Sequence, residues 1–437
     1  MLVLKFGGTS VGSAERMKEV AELINTPETK IVVLSAMSGT TNSLVEIAEY
    51  LYQKNIDAAN EKINLLEKNY EKVVDELFST ETYKSKGLEL IKSHFNYIKA
   101  FTQDMFTLFE EKAVLAQGEM LSTALFHFYL EENQRSSVLL PALNFMRIDE
   151  EGEPNNNYIK EHLKKELQQY PENKLFITQG FICRNTYGEI DNLKRGGSDY
   201  SASLIGAAVA AEEIQIWTDI DGFHNNDPRF IENTKPLSGL SFDEAAELAY
   251  FGAKILHPSS VLPAKLANIP VRLKNTMQPD APGTIICNET QNTGIKAIAA
   301  KDGITAIKIK SGRMLLAHGF LRKVFEIFET YKTSIDMITT SEVAVSVTID
   351  DTKFLNEIVQ DLKKFGTVEV DKDLSIICIV GDFIAESKGY ALQIFGALKN
   401  IPLRMISYGG SFHNVSVLVN TSDKKEALQS LHNTLFQ

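Results

Sequence analysis

Short apolar runs alternate with amphipathic stretches along the chain up to about residue 290. The runs that we predict as strands are 1–6, 31–35, 138–140, 175–179, 214–218 and 271–274. Several are almost continuously apolar, which is typical of strands buried on both faces. The helices predicted between them include 198–211 and 242–252. This alternation predicts an α/β fold, with a mostly parallel sheet sandwiched by helices.

The segment from about 43 to 132 has a different pattern. Its apolar residues recur at spacings of three or four, as in Ile63, Leu66, Tyr70, Val73 and Leu77. That spacing gives a helix one apolar face. We therefore expect a helical subdomain inside a first domain that covers residues 1–290.

The C-terminal part contains an internal repeat after a polar, turn-rich stretch. Phe325 and Phe395 are 70 residues apart, and so are Val345 and Val415. Each copy has the pattern helix, strand, turn, strand. We expect a linker over 291–302, followed by two ferredoxin-like α+β modules over 303–370 and 371–437.

Composition narrows the range of partners. The net charge of −12 and the scattered basic residues provide no basic stripe for a nucleic acid. The three cysteines lie far apart, so neither a disulfide framework nor a cysteine metal site is expected. The apolar run at the N-terminus is shorter than a signal peptide or a membrane span requires. We expect a cytoplasmic protein that does not bind membranes.

Two glycine turns have residues suited to phosphate binding. The sequence KFGGTS at 5–10 follows a predicted strand, and KRGGSD at 194–199 opens a predicted helix. Glycine lets backbone N–H groups approach an anion closely, and a helix N-terminus favours negative charge. The structural alternatives are an ordinary strand-to-helix turn for the first and helix capping by Ser198 and Asp199 for the second.

Several nucleotide-binding and hydrolytic motifs are missing from the sequence. There is no Gly-Lys dipeptide, which excludes a Walker-type P-loop, and no Gly-x-Gly-x-x-Gly follows a predicted strand. The motif His-Glu-x-x-His does not occur, which disfavours a zinc protease. Phosphate would have to be bound by glycine turns, helix ends and separate lysines.

Seven segments, taken in order, resemble the aspartate kinase family. They are KFGGTS at 5–10, LSAMSGTTN at 34–42, QGE at 117–119, ITQGFI at 177–182, RGGSD at 195–199, WTD at 217–219 and FGAKILHP at 251–258. The resemblance implies an amino-acid kinase fold and ATP-dependent phosphorylation of the L-aspartate β-carboxylate, at the head of lysine, threonine and methionine biosynthesis. It implies Mg²⁺ on the ATP phosphates, no tightly held organic cofactor and no metal held by the protein alone.

The resemblance also implies a role for each motif position. Lys5 and Asp199 would be catalytic. Lys5 would neutralise charge between the attacking carboxylate and the γ-phosphoryl group, and Asp199 would orient Lys5 and the substrate. The implied substrate-binding residues are Ser35, Thr41, Glu119 (for the ammonium), Arg195 (for the α-carboxylate) and Ser198. The implied nucleotide-binding residues are Lys5, Gly7, Gly8, Thr218, Asp219, Arg229 and Lys254.

The C-terminal repeat resembles the paired ACT regulatory modules of this family. The implied effector is an amino acid, with lysine the leading candidate, and modules of this kind imply a homodimer or a dimer of dimers. The implied effector-binding residues are Met314, Gly319, Leu321, Ser334, Asp336, Thr340, Ser341 and Glu342. His224 and the pair Ala317-His318 depart from the lysine-sensitive members, which have tyrosine and Ser-Arg at these places.

Two other functions remain open on the sequence alone. Another amino-acid kinase, such as acetylglutamate or glutamate 5-kinase, would share the fold but lacks the tandem ACT modules. A catalytically inactive amino-acid sensor would have lost Lys5, Asp199 or Lys254, and all three are present. Because the chain ends after the second module, we expect a monofunctional kinase rather than a fusion with homoserine dehydrogenase.

Overall fold

The computed structural model describes residues 1–103, 105–193, 196–252, 255–288, 294–312, 318–382 and 388–436. The chain forms two compact units. The first consists of Met1–Gly222, Ser238–Phe242 and Ile255–Glu289, and the second of Phe223–Leu237, Asp243–Lys254 and Thr290–Gln437. The units alternate along the chain, so the expected first domain, 1–290, contributes segments to both.

The described part of the first unit is built on an eight-stranded sheet. Its strands are β1 (Leu2–Phe6), β2 (Lys30–Leu34), β3 (Val138–Leu140), β4 (Leu175–Gln179), β7 (Glu213–Thr218), β8 (Gly239–Ser241), β9 (Val271–Asn275) and β10 (Thr284–Cys287). Their order is β3-β4-β2-β1-β7-β9-β10-β8, and every neighbouring pair is parallel except β9 and β10. A separate hairpin pairs β5 (Ile182–Arg184) with β6 (Ile190–Asn192).

The six predicted strands are present, with ends that differ by no more than a residue or so. All residues of β2 are buried, as expected for a strand covered on both faces. The prediction of a mostly parallel α/β sheet with helices is therefore confirmed.

The helices of the first unit are α1 (Ala14–Leu23), α2 (Thr40–Tyr52), α3 (Ile56–Leu77), α4 (Glu81–Ala100), α5 (Leu108–Glu132), α6 (Asn156–Gln168), α7 (Gly197–Val209) and α9 (Leu262–Leu266). Helices α2 to α5 occupy the segment in which we predicted consecutive helices. Ile63, Leu66, Tyr70, Val73 and Leu77 on α3 are all buried, so the apolar periodicity in the sequence marks the packed face of this helix.

The second unit contains a six-stranded antiparallel sheet. Its elements are α8 (Phe242–Tyr250, of which Phe242 belongs to the first unit), β11 (Gly294–Lys310), α10 (Phe320–Thr330), β12 (Ile338–Thr340), β13 (Ala344–Ile349), α11 (Leu355–Leu362), β14 (Thr367–Asp382), α12 (Tyr390–Ala397), β15 (Met405–Tyr408), β16 (Asn414–Asn420) and α13 (Lys424–Phe436). The strand order is β12-β13-β11-β14-β16-β15. Elements α10, β12 and β13 correspond to α12, β15 and β16, which explains the repeat in the sequence.

The long strands β11 and β14 run through both modules. One core contains Ile307, Val324 and Val345, and the other contains Ile298, Ile377 and Val417. The beginning of β11 pairs with the end of β14 in the second core, and the end of β11 pairs with the beginning of β14 in the first. The first module is therefore inserted between two strands of the second.

Most of the range predicted as a linker, 291–302, lies in a strand, because residues 294–302 belong to β11. The sequence Lys301-Asp302-Gly303 has the composition of a turn, and Gly303 has a φ of +76°. These residues form an irregularity within the strand, where the pairing with β14 shifts register between Lys301 and Ile304. The second module is completed by a strand that precedes the first module in the chain.

Candidate active site

Lys5, near the carboxyl end of β1, forms an ion pair with Asp199 in the first turn of α7. The distance from Lys5 Nζ to Asp199 Oδ1 is 2.6 Å, and the two side chains are 12% and 17% exposed. Partial burial makes such a pair stronger than one in bulk water. A Cβ atom on Gly7 would lie 3.5 Å from Lys5 Nζ, so the glycine turn passes close to the ammonium. The pair thus fixes a positive charge at the edge where parallel sheets bind ligands.

Gly8 lies in close contact with the segment that follows β2. A Cβ atom on Gly8 would lie 2.9 Å from the carbonyl oxygen of Ala36, and the Gly8 carbonyl accepts a hydrogen bond of 3.1 Å from Ser38 N–H. Gly7 N–H donates to the carbonyl of Trp217 at 3.3 Å. Since the N–H groups of Gly7, Ser10 and Val11 all donate to backbone carbonyls, an anion at this turn would be bound by the N–H groups of Gly8 and Thr9.

Two serines from distant parts of the sequence meet beside this turn. Ser35 Oγ donates a hydrogen bond of 2.9 Å to Ser198 Oγ. Ser198 fits there because residue 180 is a glycine: a Cβ atom on Gly180 would lie 2.4 Å from Ser198 Oγ. Gly196 and Gly197 precede Ser198 with φ angles of +64° and +45°, values that favour glycine. The glycine turn therefore places Ser198 and Asp199 next to each other in the first turn of α7.

Glu119 on α5 is a buried carboxylate with spare hydrogen-bonding capacity. Its Oε1 atom accepts a hydrogen bond of 3.2 Å from Ala36 N–H. Its Oε2 atom is buried and has no hydrogen-bond partner among the described residues. Burial raises the pKa of Glu119 to about 7, against the opposing effects of the hydrogen bond from Ala36 and the charge of Lys5. A cationic group of a ligand placed beside Oε2 would give this buried oxygen a hydrogen-bond partner.

A cavity of about 430 Å³ lies among these groups. Its lining includes the predicted residues Gly8, Ser35, Thr41, Glu119 and Ser198. It also includes Ser38, Asn42 and Phe181, to which the sequence interpretation gave no role although all three lie within the quoted motifs. Hydroxyl groups and one carboxylate make this a site for a small polar ligand.

A second cavity of similar size, about 440 Å³, lies at the amino ends of β2 and β4. Its lining includes Thr26, Arg135 and Lys174, and it contains none of the predicted site residues. Ligands of parallel α/β sheets bind at the carboxyl ends of the strands, so we place the functional site in the first cavity.

Besides Lys5, Gly7 and Gly8 of the first glycine turn, four nucleotide-binding residues were predicted. Thr218 ends β7, the neighbour of β1, and its Oγ1 atom donates a hydrogen bond of 3.0 Å to the exposed Asp219. Arg229 belongs to the second unit, where its Nη2 atom lies 2.6 Å from Asp227 Oδ2. Lys254, like Arg195 of the substrate set, lies outside the described residues. The roles of all five stay predictions.

The predicted effector residues lie around α10, β12 and the segment between them. Gly319 caps α10 with a φ of +80° and Leu321 is exposed on that helix. Ser334, Thr340, Ser341 and Glu342 are exposed, whereas Met314 lies outside the described residues. The side chain of Asp336 is fully buried and accepts hydrogen bonds from Tyr250 Oη at 2.8 Å and Lys301 Nζ at 2.9 Å. The sequence interpretation missed Tyr250 and Lys301.

Comparison with known proteins identifies the family. The model of the amino acid kinase family matches residues 1–275, and an ACT domain model matches residues 377–435. The chain is 34% identical to lysine-sensitive aspartokinase 3 of Escherichia coli, over 100% of this chain and 99% of that protein. It is 35% identical to the chloroplastic aspartokinase 1 of Arabidopsis thaliana, over 100% of this chain and 80% of that protein. The chain belongs to the aspartokinase family.

Solved structures agree with this assignment. Aspartokinase III of E. coli in complex with aspartate and ADP has a TM-score of 0.84 and 33% identity to this aspartokinase, covering 100% of both chains. The same protein with lysine and aspartate gives a TM-score of 0.85. Aspartate kinase of Clostridium acetobutylicum gives 0.86 at 28% identity, again over 100% of both chains. The family and the ACT modules predicted from the motifs are therefore confirmed.

Two further features are absent from the described residues of the aspartokinase. Among the described residues, no helix combines the length and apolar character that a membrane span needs. No cluster of three or more histidine, cysteine or acidic side chains suited to holding a metal ion occurs within the same residues.

Proposed function

We propose that this chain transfers the γ-phosphoryl group of ATP to the β-carboxylate of L-aspartate. The observation that supports this most is the cavity in which Glu119 lies among the hydroxyl groups of Ser35, Thr41 and Ser198. A buried carboxylate suits the ammonium of an amino acid, and neutral donors suit its carboxylates. The similarity to E. coli aspartokinase III, whose structure contains aspartate and ADP, supports the same choice.

The chemistry requires positioning and charge neutralisation rather than a general base. A carboxylate with a pKa of about 4 is already ionised near pH 7, so it can attack phosphorus directly. Lys5 reduces the repulsion between this nucleophile and the γ-phosphoryl group, and Asp199 holds the Lys5 ammonium in place through the 2.6 Å contact. The N–H groups after Gly7 bind the transferred phosphoryl group.

The substrate ATP is bound as its magnesium complex. Magnesium favours phosphate oxygens together with one or two carboxylates, and the exposed Asp219 offers such a group at the end of β7. Thr218 and Lys254 bind the nucleotide, and Arg195 binds the α-carboxylate of aspartate. Arg229, whose side chain is largely exposed, is the remaining predicted ligand of the nucleotide.

Lysine regulates the enzyme through the ACT modules. The support comes from the buried Asp336 beside a set of exposed polar residues and from the similarity to E. coli aspartokinase III, whose structure contains lysine. Met314 and the remaining predicted effector residues stay predicted ligands of lysine. The chain assembles as a homodimer or a dimer of dimers through its modules, and its location in the cytoplasm stays a prediction.

The purified full chain tests this proposal directly. With MgATP and L-aspartate we expect an acyl phosphate that hydroxylamine traps as a hydroxamate, and no comparable product with L-glutamate or N-acetyl-L-glutamate. Titrating lysine, threonine and methionine against this rate identifies the effector. A preference for either glutamate would assign another amino-acid kinase, and lysine binding without any turnover would assign a sensor.

A further inference from the structure

Thr40 and Tyr70 form a buried pair of hydroxyl groups between the helices next to the cavity. Thr40 is the first residue of α2, Tyr70 lies on α3, and their hydroxyl oxygens are 3.0 Å apart. The two residues are 3% and 1% exposed. Burial raises the pKa of the Tyr70 phenol, so the phenol keeps its proton and can donate it to Thr40. Removing either hydroxyl would leave the other buried without this partner.

Thr40 also contacts α5 through its methyl group. Gly118 on α5 directly precedes Glu119, and a Cβ atom on Gly118 would lie 3.1 Å from Thr40 Cγ2 and 2.9 Å from Ala36 Cβ. The α5 backbone therefore packs directly on Thr40 and Ala36. A shift of Thr40 would change the distance between α2 and the backbone that carries Glu119.

The segment 37–42, which we call the pocket turn, leads into α2 without a side chain that caps this helix. Gly39 precedes α2 with a φ of +80° and provides no capping side chain. Thr40 N–H donates to the carbonyl of Met37 at 3.0 Å, which closes the turn. Ser38, Gly39, Thr41 and Asn42 all line the cavity. The hydrogen bond to Tyr70 anchors the side chain of the residue at the centre of this turn.

We propose that Tyr70 is a positioning residue of the aspartate pocket: its hydroxyl holds Thr40 and thereby fixes the spacing between the pocket turn and Glu119. Tyr70 itself lies outside the cavity lining and acts through Thr40. This inference rests on the proposed binding of aspartate in the cavity. It assigns the helical segment between β2 and β3 a part in substrate affinity, beyond its packing against the sheet.

Steady-state kinetics of Tyr70→Phe test the proposal. The variant keeps the ring, which packs edge-on against Phe95 with 5.9 Å between ring centroids, and loses only the hydroxyl. We expect the KM for aspartate to rise about 3- to 10-fold, the range that one buried hydrogen bond typically gives. The kcat and the KM for ATP should stay within about two-fold, because the reacting groups are unchanged.

Variants of Thr40 test the same contact from the other side. Thr40→Val keeps the methyl contact with Gly118 and should raise the KM for aspartate as Tyr70→Phe does. The double variant should be no worse than either single one, since both remove one interaction. Thr40→Ser keeps the hydroxyl and loses the methyl group, whereas Thr40→Val does the reverse. The KM of Thr40→Ser for aspartate should therefore lie closer to the wild-type value.

Tyr50→Phe is the matched control. It removes a hydrogen bond of 2.9 Å from Tyr50 Oη to Glu46 Oε1, both on α2, without touching the pocket turn. Its KM for aspartate should match the wild type.

The role of Tyr70 is overturned if the KM for aspartate does not change in Tyr70→Phe or Thr40→Val, or if the effects of the two substitutions add. It is also overturned if kcat alone falls together with thermal stability. An active wild-type enzyme with an unaffected Tyr70→Phe removes only this inference, whereas a wild type that does not phosphorylate aspartate removes the proposed function as well.

Discussion

Each unit contains a partly buried lysine–aspartate pair, and the two pairs have different surroundings. Lys5 lies 2.6 Å from Asp199, its only acidic contact within ion-pair distance among the described residues. Lys301 lies 2.9 Å from Asp336 and 2.8 Å from Asp350, and its Nζ atom is 4.4 Å from the centre of the Tyr250 ring. The first pair is electrically neutral, whereas the second group, with one cation and two anions, has a net charge of −1.

This difference indicates which ligand each pair can accept. A neutral pair beside a glycine turn can admit a further anion, because the Lys5 ammonium has hydrogen-bonding capacity left. A group with excess negative charge instead attracts a cation such as the ammonium of an amino acid. Burial lowers the pKa of Lys301, but the hydrogen bonds with Asp350 and Asp336 raise it by more, so Lys301 stays charged. An effector ammonium at Asp336 would share this carboxylate with Lys301 Nζ, which contacts Oδ1, whereas Oδ2 has no hydrogen-bond partner among the described residues.

The largest expected effect comes from removing the cation of the first pair. Lys5→Ala should lower kcat at least about 100-fold, which corresponds to about 2.7 kcal/mol of transition-state stabilisation. The hydroxamate assay and the melting temperature measure activity and folding. Lys112→Ala is the matched control, because Lys112 Nζ also lies 2.6 Å from an aspartate, Asp191, in the same unit. Equal losses of activity in the two variants would contradict a special role for Lys5.

The next effect concerns the carboxylate of the aspartate pocket. Glu119→Gln keeps the shape of the side chain and removes its charge, so the substrate ammonium loses a charge-assisted hydrogen bond. We expect the KM for aspartate to rise about 10- to 100-fold. The KM for ATP, measured at saturating aspartate, should change little. An unchanged KM for aspartate would place the ammonium elsewhere in the cavity.

The raised pKa of Glu119 predicts how aspartate affinity depends on pH. Burial raises this pKa to about 7, so the carboxyl is mostly protonated below that pH and ionised above it. Because the ammonium needs the ionised form, kcat/KM for aspartate should rise about tenfold between pH 6 and 8 and then level off. Glu119→Gln should remove this dependence. A profile that stays flat in the wild type over this range would show that Glu119 is already ionised at pH 6.

Much of the site could be predicted because its residues lie in short motifs at strand ends. Ser35 and Ser198 are 163 residues apart in sequence, yet they touch because β1 and β2 are neighbours and α7 packs beside them. Parallel strands bring their carboxyl ends to one edge, so motifs that follow different strands converge. This convergence explains why Gly8 and Ser35 line one cavity, whereas the resemblance to the aspartate kinase family was needed to add Glu119, which lies on α5, and Ser198, which lies in the first turn of α7.

The contacts that the sequence did not predict depend on packing between elements without a shared motif. Tyr70 was identified only as part of an apolar helical face, and nothing in that periodicity indicates a hydroxyl partner 30 residues earlier. Lys301 was assigned to the linker over 291–302, which was predicted from the polar, turn-rich stretch after the first domain. Its contact with Asp336 arises only once β11 absorbs residues 294–302 and continues through both modules.

The smallest expected effect concerns the internal cation of the second pair. Lys301→Met keeps an apolar chain against the Tyr250 ring and removes the ammonium that competes for Asp336. If lysine binds Asp336, half-inhibition should occur at about five-fold lower lysine, the change expected from about 1 kcal/mol of lost competition. Asp336→Asn is the control and should shift half-inhibition to higher lysine. A shift to higher lysine in Lys301→Met as well would show that Lys301 helps to build the pocket instead of competing for it.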